Sequence, residues 1–97
     1  MMILKALSRG PLHGYAVARW LEQATDDALQ VEEGSLYPAL YRMEQRGWLS
    51  AEWGMTERNR KAKFYKLTKI GRKQLEAESA SWERTSALVF RVMQTAE

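Results

Sequence analysis

The fold of this chain is decided by residues 33–47, which read EGSLYPALYRMEQRG. Successive side chains of a helix are about 100° apart, so this stretch would separate its residues onto two sides. One side is apolar and contains Leu36, Ala39, Leu40 and Met43. The other side contains Pro38, Tyr41, Arg42 and Gln45. We therefore expect a helix that packs on a core and leaves an aromatic, polar face exposed.

The ends of this helix have their own signals. Ser35 is the expected N-cap, and the helix should run to about Arg46. Pro38 would then be the third helical residue, where proline is tolerated because the first amides of a helix have no partner within it. Gly47 is expected to end the helix in a left-handed conformation.

Two further helices are expected upstream, over residues 2–8 and 13–24. The second has apolar residues at positions i, i+3, i+4 and i+7. These are Val17, Trp20, Leu21 and Ala24. Residues 25–34 are polar and should form a connection to the third helix. His13 lies near the start of the second helix and is expected to have a structural role.

Downstream, residues 48–55 partly alternate between apolar and polar side chains, residues 61–67 alternate again, and the polar segment 56–60 joins them. This pattern predicts a β-hairpin. Trp48 and Trp53 flank the first strand, and we expect both to pack in the core.

Thr68 can cap a last helix from Lys69 to about Ala96. This helix carries a heptad-like stripe, in which residues follow at intervals of 4, 3, 4, 3 and 4. The stripe consists of Leu75, Ser79, Trp82, Ser86, Val89 and Met93. Leu88, Phe90 and Val92 add apolar surface outside it. We expect a second copy of the chain to cover this surface, because one protruding helix cannot bury it alone. Packing of the stripe on the first helix of its own chain is the alternative.

Composition excludes several classes of protein. The chain has 97 residues, which suits one domain, no cysteine and a single histidine. A disulfide framework, a thiolate metal site and a Ser/His/Asp triad therefore lack the residues they need. No apolar run approaches the roughly 18 residues that span a bilayer, and the first residues lack the layout of a signal peptide. We expect a soluble cytoplasmic protein, not an enzyme, with no cofactor, metal or membrane partner.

The positive charge is concentrated in one segment. Residues 58–73 contain eight basic residues and no acidic one. The totals are 15 basic and 12 acidic residues, so the rest of the chain has 7 basic and 12 acidic residues, a sum of −5. Such a segment is typical of a surface that binds a polyanion, although a solvated basic face is the simpler interpretation.

The order helix, helix, helix, hairpin, helix predicts a mainly α fold with a small β-hairpin, namely a winged helix-turn-helix (residues 1–68) followed by a long C-terminal dimerisation helix (residues 69–97). In such folds the third helix enters a major groove, and the hairpin, or wing, contacts phosphates. Duplex DNA is favoured over RNA, because the deep, narrow major groove of A-form RNA would not admit the helix.

A different class remains open, a winged-helix module that binds proteins. Such a module would be expected to have a neutral or acidic wing, so the basic segment argues against this class.

Individual residues also have alternatives. Tyr37 and Tyr41 could pack on the wing instead of contacting DNA. Arg42 could read guanine with two hydrogen bonds, hold a phosphate, or pair with Glu33 or Glu44.

Several motifs of the chain resemble the PadR family of bacterial transcriptional regulators. They are GPLHGY at residues 10–15, EGSLYPAL at 33–40, MEQRGWL at 43–49, KFYKLT at 63–68, and Gly71-Arg72. Together they cover roughly residues 3–75. The resemblance implies a homodimeric DNA-binding repressor that acts at inverted-repeat operators, in which the C-terminal helix of each subunit packs on the partner's N-terminal helix.

The resemblance also implies which residues bind. The base-facing candidates on the third helix are Ser35, Tyr37, Pro38, Tyr41 and Arg42, with Tyr15 near the DNA backbone. The wing candidates are Arg58, Asn59, Arg60, Lys61 and Lys63. The short tail is similar to that of a subfamily in which an aromatic residue at the matching place lines an opening for planar aromatic compounds. Trp82, with the small residues Ser79 and Ser86 one turn away on either side, is therefore the candidate for binding a small aromatic effector, plain packing being the alternative.

Overall fold

The computed structural model describes residues 1–95. The elements, in chain order, are α1 (Met2–Ala6), β1 (Leu12–His13), α2 (Gly14–Ala24), α3 (Glu33–Gln45), β2 (Leu49–Met55), β3 (Lys61–Leu67) and α4 (Lys69–Gln94). The predicted winged helix-turn-helix order is confirmed. The predicted helix end at Ala96 and the last residue of the predicted dimerisation segment, Glu97, lie outside the described residues.

One apolar core joins the three N-terminal helices to the sheet. Its fully buried side chains include Leu4 and Leu7 from the N-terminal segment, Val17 from α2 and Leu40 from α3. The helical spacing read from α2 is confirmed for Val17 and Leu21, which are buried. Trp20 is only partly buried and Ala24 is exposed. The first helix is shorter than expected, because it ends at Ala6 rather than at residue 8.

The sheet has three antiparallel strands in the order β1-β3-β2. The hairpin of β2 and β3 was predicted, but β1 was not. This strand has only two residues, Leu12 and His13, which pair with Tyr65 and Phe64 of β3. Two residues are too few to show alternation, so the strand exists only because β3 offers it an edge.

The faces of α3 are as predicted. Leu36 and Leu40 are buried, whereas Pro38, Tyr41, Arg42 and Gln45 are exposed. The predicted C-terminal stop is also confirmed, because Gly47 has a φ of +79°. The amide of Trp48 donates to the Met43 carbonyl at 3.0 Å, and that of Gly47 to the Glu44 carbonyl at 3.0 Å, which together form a Schellman cap.

The expected start of α3 is wrong, because the helix begins at Glu33 and its N-cap is Glu32, not Ser35. The amides of Ser35 and Leu36 both donate to the Glu32 carbonyl, at 3.1 and 3.0 Å. Pro38 is therefore the sixth helical residue, and the carbonyl of Gly34 lacks the usual N–H partner four residues on. Gly34 is exposed, so solvent can hydrate the freed carbonyl.

The two tryptophans flanking β2 differ. Trp48 is half-buried and packs against the core, as expected. The expectation for Trp53 is wrong, since 65% of its surface is exposed. Trp53 lies on the same face of β2 as the buried Leu49, but the hairpin extends beyond the core at this point, so there is nothing left for the indole to pack against.

The last helix, α4, begins as predicted, with the Thr68 hydroxyl accepting a hydrogen bond from the Gly71 amide at 3.0 Å. Its first turns pack on the domain through Gly71, which is buried, and Leu75, which is partly buried. Further along, the Ser79 hydroxyl is 3.9 Å from the sulfur of Met1, and the Met1 amino group is 3.1 Å from a Glu78 oxygen. The rest of α4 leaves the body of the domain.

Candidate nucleic-acid interface

The exposed face of α3 is aromatic and basic. The predicted contacts on this helix, namely Ser35, Tyr37, Pro38, Tyr41 and Arg42, are all exposed. Tyr41 is the most open aromatic residue of the helix, with 60% of its surface exposed. None of the ion pairs between residues 1 and 95 involves Arg42, so the alternatives in which it pairs with Glu33 or Glu44 are not realised.

Tyr37 is also part of the joint between α3 and α2. A Cβ atom on Gly14 would collide with the far end of its ring, so a larger residue at this position would force the Tyr37 ring to move. Partial burial raises the pKa of the Tyr37 hydroxyl, and the neighbouring Glu33 carboxylate and Tyr65 add to this effect. The phenol is therefore neutral at physiological pH and can donate a hydrogen bond.

Tyr15 lies in the first turn of α2 and is exposed. His13 precedes that helix and caps it, because its Nδ1 accepts a hydrogen bond from the Ala16 amide at 3.3 Å. The imidazole also stacks on Tyr15 (ring centroids 6.4 Å apart) and meets the ring of Phe64 edge-on at 5.3 Å. His13 is thus structural, as expected, and it positions Tyr15.

The tip of the wing is a tight turn with exposed basic side chains. The Thr56 amide donates to the Arg60 carbonyl at 2.8 Å, and the Asn59 amide donates to the Thr56 carbonyl at 2.9 Å. Asn59 has a φ of 58°, a left-handed conformation that asparagine adopts more readily than most residues. The four predicted contacts Arg58, Asn59, Arg60 and Lys61 are exposed.

Trp53 is a residue of this surface that sequence reasoning missed. The Lys61 ammonium lies 5.4 Å from the centre of the Trp53 ring, a cation–π arrangement on the exposed end of the wing. Met55, the cross-strand partner of Lys61, is exposed beside it. The cross-strand pairing could have shown this. Trp53 and Met55 pair with Lys63 and Lys61, and a side chain that lies opposite a lysine is not expected to be in the core.

Glu44 was considered only as a partner of Arg42, and its contact with the wing was missed. Its carboxylate on α3 lies 3.0 Å from the ammonium of Lys63 on β3, so the fifth wing candidate already has a partner. This hydrogen bond is the main cause of the raised pKa of Lys63, which burial opposes in part. The Lys63 ammonium is also 5.5 Å from the centre of the Tyr65 ring. The contact ties the wing to α3.

The predicted dimer residues on α4 fall into two groups. Leu75 and Ser79 lie near the body of their own domain, where Leu75 packs against the core and the Ser79 hydroxyl approaches the Met1 sulfur. Ser86 is partly covered, and Trp82, Val89 and Met93 are mostly exposed. The apolar residues outside the stripe, Leu88, Phe90 and Val92, are exposed as well.

Trp82 borders an open depression of about 250 Å³. The other lining residues are Met1, Glu78, Ser81 and Thr85. The indole is 58% exposed.

Within residues 1–95 we find no group of three or more histidine, cysteine or acidic side chains arranged to hold a metal ion. In the same part of the chain, every helix is too short or too polar to cross a membrane.

Comparison with known proteins identifies the family and the fold of this chain. Residues 3–77 match the transcriptional regulator PadR-like family. This chain belongs to the PadR family. It is accordingly a transcriptional regulator of a DNA-binding type and not an enzyme.

Solved structures of transcriptional regulators, one of them PadR-like, support the assignment. A PadR-like transcriptional regulator from Bacillus cereus is 30% identical, with a TM-score of 0.81 over 97% of this chain and 89% of that one. A transcriptional regulator from Clostridium thermocellum is 26% identical, with a TM-score of 0.84 over 93% of this chain and 87% of that one.

Among sequence relatives, an uncharacterised 37.1 kDa protein in a transposon of Streptomyces fradiae is 41% identical over 90 residues. The match covers 93% of this chain but only 24% of the length of that protein. The similarity therefore concerns one segment of the longer relative.

Proposed function

We propose that this PadR protein is a repressor that binds an inverted-repeat operator as a homodimer. The observation that carries the proposal is the pairing of two independent surfaces. An exposed helix face with Tyr41 and Arg42 lies next to a wing whose tip carries exposed arginine and lysine side chains. The helix face suits base edges in a major groove, and the wing suits phosphates.

In this proposal the contacts have different roles. Arg42 reads a guanine, because an exposed arginine in the middle of the helix can reach its O6 and N7 atoms. Ser35, Tyr37, Pro38 and Tyr41 surround it on the base-facing side. Tyr15 contacts the DNA backbone, and Arg58, Asn59, Arg60 and Lys61 hold phosphates beside the adjacent groove.

Dimerisation through α4 completes the proposal. Trp82, Ser86, Val89 and Met93 continue the stripe beyond the point where α4 leaves its own domain, and their exposure supports a partner copy. Two copies related by a two-fold axis would present two α3 helices to successive turns of DNA, which requires an operator with inverted symmetry.

A planar aromatic effector is the proposed signal. The exposed indole of Trp82 borders a depression, and an aromatic ligand could stack on it. Planar dyes should quench the tryptophan fluorescence of the parent protein and lose most of that effect in Trp82→Phe. Equal quenching in both proteins would remove the effector role.

The operator proposal is tested by selecting duplexes from a random pool with the purified full chain. We expect the recovered duplexes to share an inverted repeat, and a reporter carrying that repeat at its promoter should be expressed less when the protein is present. Recovery of unrelated duplexes would contradict sequence-specific binding, and raised expression would contradict repression.

A further inference from the structure

The Glu44–Lys63 contact lies where α3 and the wing meet. Its two side chains are partly shielded from solvent, with 27% and 33% of their surfaces exposed, so solvent ions screen the pair less than they would a fully exposed one. The Lys63 ammonium thus has a carboxylate at 3.0 Å and an aromatic ring on another side.

Lys61 provides a natural comparison. It lies two residues away on the same face of β3, nearer the tip, and it has an aromatic neighbour too. It has no acidic partner among the ion pairs of residues 1–95. The two lysines therefore differ mainly in the carboxylate that Glu44 places beside Lys63.

We infer that Glu44 limits the nonspecific DNA affinity of this chain by neutralising Lys63 and by placing a negative charge between the base-reading helix and the wing. The inference rests on the proposed function. A phosphate that approached Lys63 would have to displace Glu44 and would then lie near its carboxylate. Lys63 is thus a positioning residue that ties the wing to α3, and it contributes no counterion release of its own.

The consequence concerns the competition between an operator and the rest of the genome. Nonspecific binding rests almost entirely on phosphate contacts, and a genome offers a very large excess of nonspecific sites. One masked lysine at a phosphate-facing position lowers the fraction of protein held by bulk DNA. The base contacts proposed for α3 do not depend on that lysine.

The test measures binding to a duplex of random sequence about two helical turns long, by fluorescence anisotropy over a series of salt concentrations. Glu44→Gln keeps the shape of the side chain and removes its charge. We expect the slope of log K against log salt to become steeper by about 0.9 and the affinity at 0.1 M salt to rise by up to about eightfold, the effect of one additional phosphate contact.

Matched variants separate this effect from others. Lys61→Gln should make the slope shallower by about 0.9, whereas Lys63→Gln should leave it unchanged. The double variant Glu44→Gln/Lys63→Gln should return the slope to that of the parent. Glu52→Gln is a control that also removes one negative charge, but from the face of β2 opposite to Trp53. It should not steepen the slope by the roughly 0.9 expected for one phosphate contact.

Two results would overturn the inference while leaving the proposed function intact. One is an unchanged slope in Glu44→Gln with folding confirmed by circular dichroism. The other is a loss in Lys63→Gln equal to that in Lys61→Gln. Failure of the parent to bind any duplex would instead overturn the proposed function and, with it, this inference.

Discussion

At the scale of single residues, the candidate interface offers side chains suited to two kinds of contact. Arg42 is exposed in the middle of α3 and suits a base edge, whereas Lys61 is exposed on the wing and suits a phosphate. A base contact exists only at the correct sequence, but a phosphate contact forms on any duplex. Replacing these two residues should therefore give different patterns of loss.

Arg42→Ala should cost roughly 1–3 kcal/mol at the selected operator and less on random DNA, because it removes a bidentate base contact. Lys61→Ala should weaken binding to both duplexes equally, because it removes a phosphate contact. Anisotropy titrations of each variant on both duplexes measure the difference. Equal losses on the two DNAs for Arg42→Ala would show that this arginine only anchors a phosphate.

Trp53 allows a second prediction at this scale. Since its indole is 65% exposed, Trp53→Ala should change the free energy of unfolding by no more than about 0.5 kcal/mol and should weaken DNA binding. Trp48→Ala is the matched control, and it should destabilise the fold by more than about 1 kcal/mol because this indole packs on the core. Urea denaturation gives both values. A large loss of stability in Trp53→Ala would mean that the indole is covered, for instance by a second subunit.

At the scale of elements, α3 has one glycine near each end. The backbone conformation requires glycine at Gly47 but not at Gly34. Gly47 adopts a left-handed conformation after the helix. Gly34 lies within the first turn, and a Cβ atom there would meet nothing within 4 Å. The two positions therefore respond in opposite directions to the same substitution.

Gly47→Ala should destabilise the protein by about 1–2 kcal/mol, because an alanine is strained at positive φ. Gly34→Ala should stabilise it by up to about 1 kcal/mol, because alanine favours the helix. Denaturant midpoints compared with the parent give both signs. A stabilising Gly47→Ala would be incompatible with the Schellman cap at the end of α3.

Much of this element structure can be predicted from local pattern. The faces of α3, its stop at Gly47, the hairpin and the Thr68 cap all depend on residues close together in sequence. The start of α3 could not be predicted, because Ser35 is a better cap residue than Glu32 and because proline is locally unfavourable at the sixth position of a helix.

The missed parts of the candidate site depend on contacts between distant segments. The Glu44–Lys63 pair joins residues 19 apart in sequence, on different elements. The strand β1 exists only beside β3. The burial of a tryptophan in β2 depends on where the core ends along the hairpin, and alternation alone does not contain that information.

The exposed end of α4 gives a further prediction. Val89→Glu with Met93→Glu should dissociate the proposed dimer, because it puts two carboxylates into the apolar stripe. Ala80→Glu with Ala87→Glu adds the same charge on the opposite side of the helix and should leave the dimer intact. Sedimentation velocity at tens of micromolar distinguishes the two variants. A dimeric Val89/Met93 variant would place the seam elsewhere.

At the scale of the whole molecule, the chain is elongated, with principal extents of 59, 29 and 22 Å. The domain that carries α3 and the wing forms one end, and α4 projects from it. Such a shape suits a dimer in which the joined C-terminal helices separate two DNA-binding domains, one for each half of an operator.

Sequence-specific recognition of duplex DNA can be tested by a single comparison of affinities. The full-length parent is titrated, at a single salt concentration, against the selected inverted-repeat duplex and against a scrambled duplex of the same base composition. We expect the operator to bind at least about a thousandfold more tightly. Affinities that agree within a few-fold would contradict the claim and leave only a basic surface that binds polyanions.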